Sequence, residues 1–96
     1  MKFLVIWEID IAMLKPEIVK MVMKMPEYAK KLHVTKKLSA RYHIIGKHGG
    51  AWIYDVDSNE ELERFLALSP VYNFSRYTIY ALAEMETPAE IIQPLE

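Results

Sequence analysis

Leu38-Ser39-Ala40-Arg41-Tyr42-His43-Ile44-Ile45, Gly46-Lys47-His48-Gly49-Gly50 and Ala51-Trp52-Ile53-Tyr54-Asp55-Val56 follow one another without a break at the centre of the chain. The outer two stretches are rich in β-branched and aromatic residues, and the middle one concentrates turn-forming glycines, so the pattern predicts a hairpin: strand 38–45, turn 46–50, strand 51–56. What flanks the hairpin decides the fold. Ser58 stands three residues before Glu61, the spacing of a capping box, and Leu62, Phe65, Leu66 and Leu68 then supply the apolar stripe of a helix that Ser69-Pro70 ends. Beyond it, residues 74–83 alternate: Phe74, Arg76, Thr78, Tyr80 and Leu82 take one face, and Ser75, Tyr77, Ile79, Ala81 and Ala83 the other.

On the N-terminal side, residues 2–9 read as a strand with Phe3, Val5, Trp7 and Ile9 on one face and Leu4 and Ile6 on the other. Met1–Trp7 is too soon interrupted by Glu8 and Asp10 to serve as a signal segment. Pro16 and Glu17 open a helix carrying Ile18, Val19, Met21, Val22 and Met25 along a broad stripe. Pro26 breaks it, predicting a second piece over Glu27–Leu32 and a bend that opens a cleft beside the sheet. The element order is βαββαβ, an α+β ferredoxin-like unit with both helical layers on one face of a four-stranded antiparallel sheet. One domain, 1–86, is expected, followed by a tail, 87–96, that docks on a neighbouring subunit or frays.

Ninety-six residues bury only about two-thirds of their unfolded surface, yet 52% of them are hydrophobic. Strands apolar on both faces need helices on one side and something else on the other; a second copy of the sheet is the simplest cover, so a homodimer or larger homo-oligomer is expected. Twelve basic residues against thirteen acidic leave a net charge of −1, which gives no electrostatic reason for nucleic acid or anionic membrane as a partner. The four lysines between Lys30 and Lys37 read as a solvated helix end. The absence of cysteine excludes disulfides, thiolate metal sites and a cysteine nucleophile. His33, His43 and His48 lie in different elements without ligand spacing, so no metal site is expected. A cytoplasmic protein is the default reading.

Gly46 to Val56, Ser58 to Leu62 and the step Leu68-Ser69-Pro70-Val71-Tyr72 together resemble the muconolactone isomerase-like family, with its glycine turn, its strand ending in Asp-Val, and its leucine-x-proline-hydrophobic-aromatic entry to the last strand. Phe3-Leu4-Val5 is similar to that family's first strand. The resemblance implies the dimeric α+β barrel, in which two ferredoxin-like units face their sheets together, and a proton transfer on a lactone without a cofactor. The isomerase's Trp-Arg-like pair before the glycine turn stands here as Tyr42-His43, and its His-Tyr after the glycine as Lys47-His48.

Proton transfer requires a general acid and base. His43 is the first candidate, because imidazole moves protons near neutral pH. Glu8 is the second, because burial at the end of an apolar strand would raise a carboxylate's basicity. Arg41, on the same strand face as His43, offers a planar fork of donors for a carboxylate substrate. Tyr42, Trp7 and Trp52 are expected to line a pocket for a ring-shaped ligand, with plain core packing as the competing role for aromatics at strand spacing. Three functions fit these residues: a cofactor-independent isomerase or small-molecule binder acting on a small lactone or carboxylate, a non-enzymatic ligand-binding or assembly module, and a cofactor-free monooxygenase of the same barrel class.

Overall fold

The structure, a computed structural model, describes residues 1–85. The expected tail over 87–96 lies outside the described residues.

Strand β1 (Lys2–Glu8) is followed by a 3-10 turn (Ile11–Met13), helices α1 (Pro16–Val22) and α2 (Met25–Val34), strands β2 (Leu38–His43) and β3 (Gly49–Asp55), helix α3 (Asn59–Ala67), a second 3-10 turn (Tyr72–Phe74) and strand β4 (Arg76–Leu82). The four strands form one antiparallel sheet in the order β2-β3-β1-β4. This is the ferredoxin-like arrangement that the βαββαβ order predicts. Alternation within β1 buries Phe3, Val5 and Trp7, which join Trp52, Tyr54 and Leu38 of the sheet and Met25, Ala29, Leu32, Leu62 and Leu66 of the helices in one core. Removing a side chain of this size from water contributes about 1.5–3 kcal/mol. The other face of the sheet carries no helix among the described residues. Leu4, Ile6 and Ile53 are half-buried there, and Tyr80 and Leu82 are exposed.

The helical break has a local cause. Pro26 has no amide hydrogen to give the Val22 carbonyl, and its ring would strike that same oxygen four residues back. Helix α1 ends at Val22 accordingly, and α2 restarts at Met25, two residues earlier than the sequence suggests, with Pro26 in its first turn where a missing amide costs nothing.

Helix α2 runs on through Val34 and ends in a Schellman turn: the Lys37 amide donates to the Leu32 carbonyl at 2.9 Å and the Lys36 amide to His33 at 3.0 Å. Lys36 takes the left-handed position with φ of 61°. A Cβ is strained in that conformation. Lys36→Gly is therefore expected to raise the stability by about 0.5–1 kcal/mol, measured by urea unfolding, the gain being trimmed by glycine's freer unfolded chain.

The same turn aims Lys37 at α3. Its Nζ donates to Glu61 Oε1 at 2.9 Å and to Asp57 Oδ2 at 3.2 Å, so this lysine is a bridge to the next helix and not part of a solvated end. At the start of α3, Ser58 Oγ accepts from the Glu61 amide at 3.1 Å as the capping box predicts, while the Glu61 carboxylate accepts from the amide of Asp57 at 3.0 Å, one residue before the cap. The Asp57 amide, then the Lys37 ammonium, holds the Glu61 carboxyl below its ordinary value. A depressed carboxyl stabilises the fold above its unfolded pKa, and that contribution is lost as pH falls through the folded value. Thermal melts are expected to show a steeper loss on acidification below about pH 4.5 for the parent than for Glu61→Gln, whose side chain cannot titrate.

Further boundaries differ from the sequence reading: β1 ends at Glu8 and β4 runs only from Arg76 to Leu82. Strand β2 stops at His43, β3 begins at Gly49, and Leu68 is exposed beyond the end of α3. The glycines 49 and 50 belong to the sheet, not the turn. A Cβ on Gly49 would overlap the Trp7 carbonyl, so the residue is glycine because the backbone of β1 passes against it, not because the chain turns there.

Candidate functional site

The end of the sheet nearest the helical break is built for access. Antiparallel pairing sets His43 opposite Gly50 and Gly50 opposite Trp7, so β2, β3 and β1 present in sequence an imidazole, a bare backbone and an indole on the helix-facing side. Arg41 lies opposite Trp52 on the same side. Above them Val22, Met25 and Pro26 of the broken helix leave a gap. The result is a pocket of about 430 Å³, lined by these residues together with Gly49 and Tyr42. Its volume is that of a small-molecule site, apolar with a few polar groups.

Arg41 and His43 reach this pocket through an irregularity. Leu38 pairs with Tyr54 and is buried in the core, and strict alternation from it would send Arg41 and His43 to the opposite face. The register shifts between Leu38 and Ala40, with Ser39 as the additional residue. That bulge turns the rest of β2 over and aims both side chains at the helix side. They stand two residues apart, about 7 Å along the strand.

Trp7 and Trp52 form the wall, ring centroids 6.1 Å apart and planes at 89°, and Trp52 stacks on Tyr54 at 6.2 Å. Edge-to-face contacts of this kind add about 0.5–1.5 kcal/mol to burial. Both indoles close over Gly50: a Cβ there would sit 3.0 Å from Trp52 Nε1, 3.1 Å from Trp7 Nε1 and 2.8 Å from the Tyr42 carbonyl. Trp7 Nε1 is buried and has no hydrogen-bond partner among the described residues. Arg41 and His43 are exposed at the pocket's mouth. Among the described residues the ion pairs join Met1 to Asp55, Lys37 to Asp57 and Glu61, Lys47 to Glu8, and Arg76 to Asp10, so Arg41 carries its charge without a carboxylate partner.

The helix layer is fixed behind the pocket. Tyr28 of α2 donates its hydroxyl to the Phe65 carbonyl of α3, and burial, then the neighbouring Tyr77, pushes the phenol up to about 12, so it stays a donor through the working pH range. Ser69 Oγ lies 3.5 Å from Met25 Sδ, a weak tether on one residue of the roof.

Of the residues singled out from sequence, His43, Arg41, Tyr42, Trp7 and Trp52 meet at this pocket and Glu8 does not. Tyr42 pairs with Ala51, on the opposite face, and borders the pocket along the strand. Glu8 alternates away from Trp7 to the uncovered face, where its carboxylate lies 3.7 Å from Lys47 Nζ. His33 and His48 stand apart from the pocket. Among the described residues no group of three histidine or acidic side chains is placed to hold a metal. No helix among them is long and apolar enough to cross a membrane. The residues that sequence reasoning missed are the floor, Gly49 and Gly50, whose signal was a glycine pair abutting an aromatic strand.

The sequence profile described as muconolactone delta-isomerase matches residues 1–87. The chain belongs to the muconolactone delta-isomerase family. The fold agrees with that membership. A crystal structure of muconolactone isomerase at 3.3 Å resolution superposes with a TM-score of 0.77, at 20% identity over 88% of this chain and 91% of the other. A 5-chloro-2-hydroxyhydroquinone dehydrochlorinase from Burkholderia phenoliruptrix AC1100, in complex with 2,5-dihydroxybenzoquinone, superposes with a TM-score of 0.68 at 13% identity, over 88% of this chain and 96% of the other. At these identities the superpositions speak for the fold. No curated protein matches the chain in sequence. Within the muconolactone delta-isomerase family, this member presents Tyr42-His43 ahead of its glycine turn and Gly49-Gly50 at the head of β3.

Proposed function

We propose that the pocket catalyses a cofactor-independent proton transfer on a small lactone or carboxylate, with Arg41 as the anchor and His43 as the proton carrier. The observation that carries this reading is the bulge at Ser39, which brings a cation without a carboxylate partner among the described residues and an imidazole onto one edge of a largely apolar pocket. A carboxylate on the substrate pairs with the guanidinium through parallel hydrogen bonds. That pairing holds the ring in the pocket with an acidic C–H toward His43. The imidazole takes the proton from the carbon, the electron pair delocalises into the carbonyl as an enolate, and the imidazolium returns the proton to another carbon of the conjugated system. Glu8 is on the far face of the sheet, so one imidazole performs both transfers.

The names of the two structural neighbours support the reading. Isomerisation and dehydrochlorination can both begin with an enolate or a quinol anion, which either takes back a proton or expels chloride. The uncovered sheet face, with Leu4, Ile6, Ile53, Tyr80 and Leu82, supports a second copy of the chain as its cover. A binding module without turnover is favoured over an enzyme by one feature, the replacement of the isomerase's Trp-Arg-like pair by Tyr42-His43.

Solvent exchange separates the two. The protein is incubated in deuterium oxide with muconolactone and related butenolide carboxylates, and the ring protons are followed by NMR. Catalysed loss of a ring C–H signal, with or without net isomerisation, is the expected result. Binding without exchange across the panel would establish the module instead.

A further inference from the structure

Charge is distributed unevenly along this chain, and the pocket lies in the positive part. Between Lys15 and Arg41 stand eight of the twelve basic residues and only two of the thirteen acidic ones, Glu17 and Glu27, so that stretch carries +6 in a protein of net charge −1. The rest has the opposite excess, much of it in α3, where Glu60, Glu61 and Glu63 stand against Arg64. Ion pairing sharpens the contrast. At the pocket end of the sheet the carboxylates of Glu8 and Asp10 are already met by Lys47 and Arg76. Within the basic stretch only Lys37 is paired, so its other lysines and Arg41 have no carboxylate at ion-pair distance among the described residues.

The basic stretch supplies the outer parts of the pocket. Val22, Met25 and Pro26 form its roof, and Arg41 lies at its mouth on β2. Lys20 stands in the last turn of α1, two residues before Val22, and Lys24 sits between the two helices, next to Met25 in the chain. Both lysines are exposed. Neighbouring Cα atoms are about 3.8 Å apart, against the roughly 8 Å over which charge acts at physiological salt. Lys24 on the helix side and Arg41 on the sheet side therefore both act on the opening. Apolar walls confine the field to the cavity instead of letting water spread it. Solubility alone does not call for this arrangement, because an exposed helix is served equally by charges of either sign.

We infer that Lys20 and Lys24 steer anions into the pocket, so that a carboxylate is captured faster than a neutral molecule of the same shape. The inference rests on the reading of the pocket as a small-molecule site, and it goes beyond that reading by giving a task to two residues that line neither the cavity nor the path of the proton. Their ammonium groups act at a distance, before Arg41 makes its contact. Charges at the rim of a site govern association and its salt dependence more than dissociation.

Trp7 and Trp52 in the pocket wall report the arrival of a nitroaromatic ring by loss of indole fluorescence, so stopped-flow mixing yields association and dissociation rates separately. The probes are 4-nitrobenzoate and its neutral counterpart 4-nitrobenzamide. Raising salt from about 0.01 M to about 1 M shortens the Debye length from about 30 Å to about 3 Å, and is expected to slow the association of 4-nitrobenzoate about tenfold while 4-nitrobenzamide keeps its rate. The double variant Lys20→Gln, Lys24→Gln is expected to capture 4-nitrobenzoate about threefold more slowly at low salt and to converge on the parent at high salt, a convergence that a merely structural role would not produce. Both side chains are exposed and glutamine suits a helix, so the fold should hold. Lys20→Arg with Lys24→Arg, which keeps the charge, is expected to retain the parental rate. The inference is overturned if neither probe enters, if the parent takes up 4-nitrobenzoate at a rate independent of salt, or if the glutamine variant keeps the parent's salt dependence. Since 4-nitrobenzoate is not turned over, salt-independent capture beside active solvent exchange refutes the steering alone, and steered capture without exchange on any lactone refutes the catalysis alone.

Discussion

Replacing His43 by alanine is expected, on the proton transfer proposed above, to lower the turnover number for a lactone by about 10²–10⁴-fold, the usual contribution of a positioned general acid-base group. His43 is exposed on the edge strand of the sheet, and its backbone pairing with Gly50 does not depend on the imidazole. The variant should therefore melt with the parent, within about 0.5 kcal/mol, and the loss should fall on turnover and not on KM. Arg41→Ala separates the other role: an anchor that binds the ground state and the transition state equally raises KM and leaves turnover in place. A His43→Ala enzyme that still exchanges ring protons at the parental rate would remove the imidazole from the mechanism.

Gly49→Ala is expected to cost about 3 kcal/mol or more of folding stability, enough to consume a large part of what a domain of this size possesses. The new methyl would overlap the Trp7 carbonyl and crowd the backbone of Glu8, and backbone cannot rotate away as a side chain can. Relief requires β1 and β3 to part at the point where they pair Glu8 with Gly49 and Trp7 with Gly50. Those pairings hold the pocket floor. Gly50→Ala meets softer neighbours, the Trp7 and Trp52 indoles at 3.1 and 3.0 Å along with the Tyr42 carbonyl at 2.8 Å, so it should cost less stability and disturb ligand binding more. Chemical denaturation of the two variants in parallel checks the ranking.

The local devices of this chain were legible one residue at a time. Pro26 broke the helix because proline lacks a donor, Ser58 and Glu61 capped α3 because their spacing matches one turn, and the period of two sorted β1 into two faces, of which the one with Phe3, Val5 and Trp7 is buried. Each of these depends only on neighbours a few residues away. The glycine pair was misassigned for the complementary reason. Gly49 and Gly50 look like turn residues to anything that reads the chain locally; what demands Gly49 is the carbonyl of Trp7, more than forty positions earlier, and what crowds Gly50 is the Tyr42 carbonyl and the two indoles.

The site obeys the same division. Sequence alternation put Arg41 and His43 on one face of β2, and Glu8 with Leu4 and Ile6 on one face of β1, and both placements hold in the structure. It could not say which face of β2 continues which face of β1. Side chains alternate along a strand with a period of two, so a single inserted residue exchanges the faces of everything after it. The extra residue at Ser39 does this, carrying His43 and Arg41 over to Trp7 and leaving Glu8 on the far side with Lys47. The sequence by itself determined the elements, their order and the face each residue shares with its neighbours along the chain; only the pairing of strands across the sheet decided which residues would meet, because register is set by contacts that no local pattern encodes.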